Sequence, residues 1–269
     1  MVPKLKDILN MLEEIAPSYA AEEWDNPGLQ VGYPSQEINK IIISLDPTLK
    51  AVKKASKSNA QLLFTHHPLI FKFLSCINKE IYPGNVISEA LKEGISIVAA
   101  HTNLDVAQGG INDMLANLFS LNNIEVLWKR DDLKLDNAGI GRIGDLPEPM
   151  KLATMVKTVK AVLDAGRVRV VGLKNIEVRR VAVVGGSGGG MVSMVFKKGA
   201  DLLITGDVRH HEALEAKTLG LALIDGGHFH TEKAALRLFA DHLQGSFKDL
   251  RWDVIIEVFS DEKSPMRYE

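Results

Sequence analysis

The sequence predicts an α/β protein made of two similar α/β domains with mostly parallel or mixed sheets and an internal duplication. Three observations predict it. Short, wholly apolar runs such as IIISL (41–45), ISIVAA (95–100) and LALID (221–225) alternate with helix-like stretches, the rhythm of strands buried on both faces and joined by crossover helices. The rhythm occurs twice along the chain. Six of the eight histidines fall in three pairs, 66/67, 210/211 and 228/230, and these pairs and a seventh histidine, His101, each follow an apolar run.

The first element is a helix over 3–15, where Leu5, Ile8, Leu9, Leu12 and Ile15 share one face. AEEWDNPGLQVG (21–32) reads as a loop, because Asn26-Pro27-Gly28 is turn chemistry, and it carries Trp24 and Asp25 as pocket lining or as an anchor. Strand 41–45, a helix from Pro47 to Ser58, strand 61–65, a helix near 84–93, strand 95–100 and a helix over 110–119 follow. The segment 126–150 is more polar, contains Pro147 and Pro149, and is the expected domain junction, with a strand at 138–144. Domain boundaries of 1–128 and 129–269 result. The second series comprises a helix over 151–163 and strands at 168–172, 179–186, 201–205, 221–225 and 252–258, with helices near 208–218 and 232–243.

The two series overlay. Moving IIISL (41–45) onto VAVVG (181–185) also brings Ala60, Leu62, Leu63 and Thr65 onto the identical residues Ala200, Leu202, Leu203 and Thr205. With a shorter offset His101 falls on His228 and Asp105 on Glu232, so each half carries His-x-x-x-acid after a strand. Duplication accounts for both matches.

Composition sets the outer bounds. Hydrophobic residues are 46% and charged residues 25%, ordinary for a globular chain and unlike a disordered or low-complexity one. The net charge of -2 gives no electrostatic case for nucleic-acid binding. No apolar run is long enough to span a bilayer, and the N-terminus lacks a signal-peptide core. The single cysteine, Cys76, cannot form an internal disulfide, which fits a reducing compartment, so a cytoplasmic location is expected.

Open α/β sheets gather ligands at the carboxyl ends of their strands. His66 and His67 follow one strand, His101 and Asp105 another, and His228 and Glu232 a third, so these side chains are placed to converge. Imidazole with carboxylate suits zinc, iron, manganese or nickel, and a carboxylate can bridge two ions. His101 either orients a ligand, passes a proton or makes a strand-end hydrogen bond; Asp207, His210 and His211 offer a further acid/base or supporting group, and His230 points elsewhere. GGSGGG (185–190) completes neither the dinucleotide fingerprint, since position 191 is Met, nor a P-loop, and reads as a tight turn. No G-x-S-x-G is present and Cys76 has no matched base.

The blocks FTHHPL (64–69), AHTNLDVAQGGIND (100–113), TGDVRHHEAL (205–214) and GGHFHTE (226–232) occur in order, with WDNPGLQVG (24–32) and VVGGSGGG (183–190) beside them. Together they resemble the Ngg-interacting-factor-three-like family, whose members go by the name GTP cyclohydrolase I type 2 homologs. The resemblance implies two divalent metal ions per chain, held between two related α/β domains by His66, His67, Asp105, His228 and Glu232, with Glu232 as the bridge. It implies a homo-hexameric ring. The His/Asp/Glu set without a Ser or Cys nucleophile motif leads to the expectation of a metal-dependent hydrolase acting on a nucleotide-like or phosphate-bearing small molecule, which the resemblance narrows to a GTP cyclohydrolase-like reaction; His101 and His210, read from their places beside the ligand set, are the catalytic candidates. The competing expectation is a metal carrier or a regulatory protein-interaction module without turnover.

Overall fold

The structure, a computed structural model, describes residues 1–267. It is a mixed α/β protein with two sheets. The chain divides into two units: Met1–Leu104 together with the chain from Leu236 onward, and Asp105–Ala235. Among the described residues no helix is long and apolar enough to cross a membrane.

The first unit is built on a five-stranded sheet in the order β1-β4-β3-β2-β11. Its strands are β1 (Gly28–Val31), β2 (Lys40–Ser44), β3 (Leu62–Thr65), β4 (Ser96–Ala99) and β11 (Ile255–Val258). β11, β2, β3 and β4 run parallel, and β1 closes the edge antiparallel to β4. Every residue of β3 and β4 is buried, as continuous apolar runs require. On one face Ile42, Leu63 and Ile97 pack with Ala51, Val52 and Ala55 of α2 (Leu49–Lys57) and Val86, Ile87 and Ala90 of α3 (Gly84–Glu93). Thr48 caps α2, its hydroxyl accepting from Ala51 N–H at 3.1 Å. On the other face Phe64 meets Phe239 at a ring separation of 5.7 Å. The helix expected at 3–15 is α1 (Leu5–Ile15), with Leu5, Ile8, Met11 and Leu12 buried.

The second unit carries a six-stranded sheet in the order β5-β6-β8-β9-β10-β7. Its strands are β5 (Asn122–Lys129), β6 (Gly139–Lys151), β7 (Arg169–Val171), β8 (Glu177–Ser187), β9 (Leu202–Gly206) and β10 (Ala222–Asp225). β8, β9 and β10 are parallel; β5, β6 and β7 run antiparallel to their neighbours. The helices along this stretch are α4 (Thr102–Val106), α5 (Ile111–Leu118), α6 (Leu152–Val162), α7 (Val192–Lys197), α8 (His210–Leu219) and α9 (His228–Asp249). Both sheets share one sequence of strands: an antiparallel edge strand, then three parallel strands in reverse chain order.

The structure departs from the expected elements at several points. The polar segment 126–150 is no junction, because β5 and β6 pair within it. Pro147 and Pro149 lie where β6 slips register against β8, between Asp145 and Met150, so their missing N–H groups cost the ladder little. The break expected at 128/129 falls instead at 104/105, with a return at 235/236. The last strand, expected in the second domain, pairs with β2 of the first. The loop at 21–32 contains β1, and the helix expected over 232–243 starts at His228 and runs to Asp249.

Candidate metal centre

In the first unit three imidazoles are delivered by neighbouring parallel strands. β3 ends at Thr65, opposite Ala99 of β4. His66 and His67 continue from β3, their N–H groups donating to Ser44 and Leu45 carbonyls at 3.3 and 3.0 Å. His101 leaves β4 two residues after Ala99, with Ala100 N–H still bonded to Thr65 at 3.1 Å. One ring nitrogen from each of His66, His67 and His101 lies within 4.8 Å of the other two.

Each ring is held from behind by an oxygen on its Nδ1. His66 Nδ1 is 2.9 Å from the Ala100 carbonyl, His67 Nδ1 2.7 Å from Asp46 Oδ1, and His101 Nδ1 2.8 Å from Asp25 Oδ1. An oxygen on Nδ1 fixes the tautomer of a neutral imidazole and leaves Nε2 as the donor. Asp25 is itself clamped by the N–H groups of Asn26 and Thr102, at 2.7 and 3.0 Å, and by the Thr102 hydroxyl. Burial pushes the Asp25 carboxyl up, but the hydrogen bonds from His101 and Thr102 outweigh it and bring the pKa down to about 2.

In the second unit the donors stand around the start of α9. His228 Nε2 is 3.1 Å from Glu232 Oε2, one helical turn on, and His228 Nδ1 is 2.7 Å from Asp207 Oδ2. The Glu232 carboxylate, and after it Asp207, overcome burial and raise the His228 pKa to about 9. Asp225, at the end of β10, orders both flanking loops: its carboxylate accepts from Val208 N–H at 3.0 Å and from Gly227 N–H at 2.9 Å. Asp105 lies in α4, its carbonyl accepting from Asn112 at 3.0 Å.

Glu232 is buried, and the backbone at Gly186 makes room for it: a Cβ there would stand 2.2 Å from Glu232 Oε1. The tight turn expected at 185–190 is instead the end of β8, through Ser187, followed by a single 3-10 turn over Gly189–Met191, with Gly186 packed against this carboxylate. Three N–H groups of this segment are engaged, Gly185 by Asn112, Gly186 by Thr231 and Gly188 by Thr205.

Each unit thus offers donors that fit divalent cations of the zinc, iron, manganese or nickel type: oriented imidazoles in the first, and a buried carboxylate beside an imidazole in the second. Asp46 was not singled out from sequence. It follows a strand, so the rule that led to the histidines also covers it. His210 packs its ring on His211 and lines a cavity of about 620 Å³ with Val170, Leu214 and Lys217.

These features define a class: an α/β protein whose strand ends carry imidazole and carboxylate donors suited to divalent cations. The profile of the Duf34/NIF3 (NGG1p interacting factor 3) family matches residues 3–265, and the chain belongs to that family. It is 35% identical over 266 residues to a "GTP cyclohydrolase 1 type 2 homolog" of Clostridium perfringens, covering 98% of this chain and 99% of the relative. It is 34% identical over 263 residues to a "GTP cyclohydrolase 1 type 2" of Helicobacter pylori, covering 98% of each. Among solved structures, Staphylococcus aureus hypothetical protein SA1388 superposes with a TM-score of 0.94 at 28% identity over 100% of both chains.

Proposed function

We propose that the chain is a dinuclear metal protein in which His66, His67, Asp105, His228 and Glu232 hold two divalent ions, with Glu232 as the bridge. We propose further that the centre hydrolyses a nucleotide-like or phosphate-bearing small molecule. The observation that carries the reading is the donor set at the strand ends: imidazoles within 4.8 Å in one unit, and His228 with Glu232 at 3.1 Å in the other. A duplicated half would supply such donors from the same place twice, and the shared strand order of the two sheets supports that origin.

A pair of divalent ions held by these residues would supply a water of lowered pKa and charge stabilisation for a hydrolysis. The chain's own groups do the rest. Asp46 and Asp207 aim His67 and His228. Gly186, at the end of β8, leaves the space that Glu232 fills. In this reading His210, exposed beside Lys217, would meet the substrate and exchange a proton. The relatives named as GTP cyclohydrolase 1 type 2 or its homologs support a purine nucleotide as the substrate class. The hexamer belongs to the same reading, and light scattering on the purified protein measures it.

Metal analysis of wild type beside Glu232→Gln, followed by a nucleotide screen of the metal-loaded protein, is the test. Two ions per chain falling to one or none, with saturable turnover, is the expected result. Metal without turnover, readily handed to another apoprotein, would replace the hydrolase with a carrier. Wild type that takes up no ion ends the reading.

A further inference from the structure

We propose that His101 is a metal donor, completing with His66 and His67 a three-imidazole set that lies wholly in the first unit, and that Asp25 is the positioning residue that aims it. The proposal rests on the metal-binding part of the reading above and deepens it, but it requires no second ion.

Convergence is the first argument. The donor nitrogen of His101 stands in the same 4.8 Å group as those of His66 and His67, and the three ring separations are alike at 5.2, 5.3 and 5.4 Å. A ring that served only to end a strand would have no reason to close that triangle.

The second argument is orientation. All three rings meet an oxygen at Nδ1, yet the oxygens come from unrelated places: a carbonyl after β4, Asp46 after β2 and Asp25 before β1. What they share is the result, an Nε2 lone pair directed away from its support. Oxygen-held imidazoles of this kind are the usual form of metal-bound histidine.

The third argument is confinement. Asp25 cannot swing, because Asn26 and Thr102 also hold it. The His101 backbone N–H donates to Asn103 Oδ1 at 2.9 Å, and Asn103 Nδ2 donates in turn to the Ala16 carbonyl at 2.7 Å. Trp24 and Phe71 stand beside the His101 ring at 5.9 and 6.1 Å and leave its side chain 11% exposed. A proton carrier needs a path to water or substrate, which these aromatic walls narrow, whereas a ligand needs rigidity. Three imidazoles also match the donor set of catalytic zinc sites, in which a fourth position stays open for water or another ligand.

Cobalt(II) serves as the probe, in the full-length chain carrying Asp105→Asn, His228→Ala and Glu232→Gln, with circular dichroism checking the fold. We expect this protein to bind a single cobalt, with X-ray absorption fitting three imidazoles. Adding His101→Ala should reduce the count to two and weaken binding by at least about tenfold; Asp25→Asn should keep three and weaken binding by about 10–100-fold. The same His101→Ala comparison in an otherwise wild-type chain, read as the loss of one imidazole, covers the case in which the combined variant does not fold. An imidazole count that His101→Ala leaves unchanged overturns the proposal, and Asp25→Asn with undiminished affinity removes Asp25 from it. A folded combined variant that takes no cobalt while wild type does overturns the self-sufficient site and leaves the dinuclear reading standing. Wild type that takes no cobalt or other divalent ion overturns both.

Discussion

At Gly186 the backbone has φ +63°, and a Cβ would meet Glu232 Oε1 at 2.2 Å. Both facts resist any side chain, so Gly186→Ala must displace the carboxylate or shift the end of β8. We expect a stability loss of about 1–3 kcal/mol in urea unfolding and weaker metal uptake by calorimetry. Arg142 is the other residue whose surroundings are fully specified. It is buried, pairs with Asp113 through Nε at 2.5 Å and the second terminal nitrogen at 2.7 Å, and donates to the carbonyls of Gly139 and Gly141 at 2.8 and 2.9 Å. Arg142→Met would leave Asp113 and these carbonyls without their cation, so an unfolding free energy lower by about 3 kcal/mol is expected from urea titration. At this scale the sequence was uneven. Histidines stand out because they are rare and clustered at strand ends. Asp46 sits in a Leu-Asp-Pro stretch indistinguishable from an ordinary turn, and Asp25 reads equally as anchor or as lining. Only the folded chain brings these carboxylates to the rings that give them meaning.

At the scale of elements, the parallel strands were legible because burial on both faces demands unbroken apolar runs, and 41–45, 61–65, 95–100, 201–205 and 221–225 all match strands to within a residue or two. The β5–β6 hairpin was legible only in part. Its second strand showed in part, since the strand expected at 138–144 is the buried first half of β6, but β5 is exposed over most of its length and β6 carries two prolines at its slip, so the pairing and the full extent of β6 did not show. β11 is exposed or half-buried throughout and joins β2 by register and charge. Glu257 on β11 takes Lys40 Nζ at 2.8 Å and Lys54 Nζ at 2.5 Å. Lys40, then Lys54, hold the Glu257 carboxyl below its ordinary range. A lowered folded pKa contributes stability that is present above the ordinary carboxylate range and is lost as pH falls through the folded value. Glu257→Gln should therefore cost less than about 1 kcal/mol at neutral pH, the pair being solvent-screened. Urea midpoints of wild type and variant should converge at acid pH and separate as pH rises.

For the whole molecule, the sequence pattern showed two α/β series but not how the chain is shared between them. The reason is physical: apolar runs report that a strand is buried, not which sheet buries it. β11 and the part of α9 from Leu236 onward lie at the end of the chain, yet they belong with Met1–Leu104. The first unit is thus discontinuous, while Asp105–Ala235 is one unbroken segment holding all six strands of its sheet. The two should behave differently when cut apart. A fragment of residues 105–235 keeps every strand pairing of its sheet and the apolar cluster of Leu127, Ile143, Ala182, Val195 and Leu203. We expect it to unfold cooperatively in urea with native-like circular dichroism. A fragment of residues 1–104 loses β11, so β2 becomes an open edge. It also loses Phe239, the partner of Phe64, together with buried Leu243 and Phe247. Exposing such a face removes on the order of 1.5–3 kcal/mol for each large apolar side chain, enough to exhaust the margin of a small sheet. That fragment should aggregate or show no cooperative transition until a segment spanning residues 236–267 is joined back to it. Cooperative folding of 1–104 alone, or a molten 105–235, would show that the chain does not divide into folding units at 104/105 and 235/236.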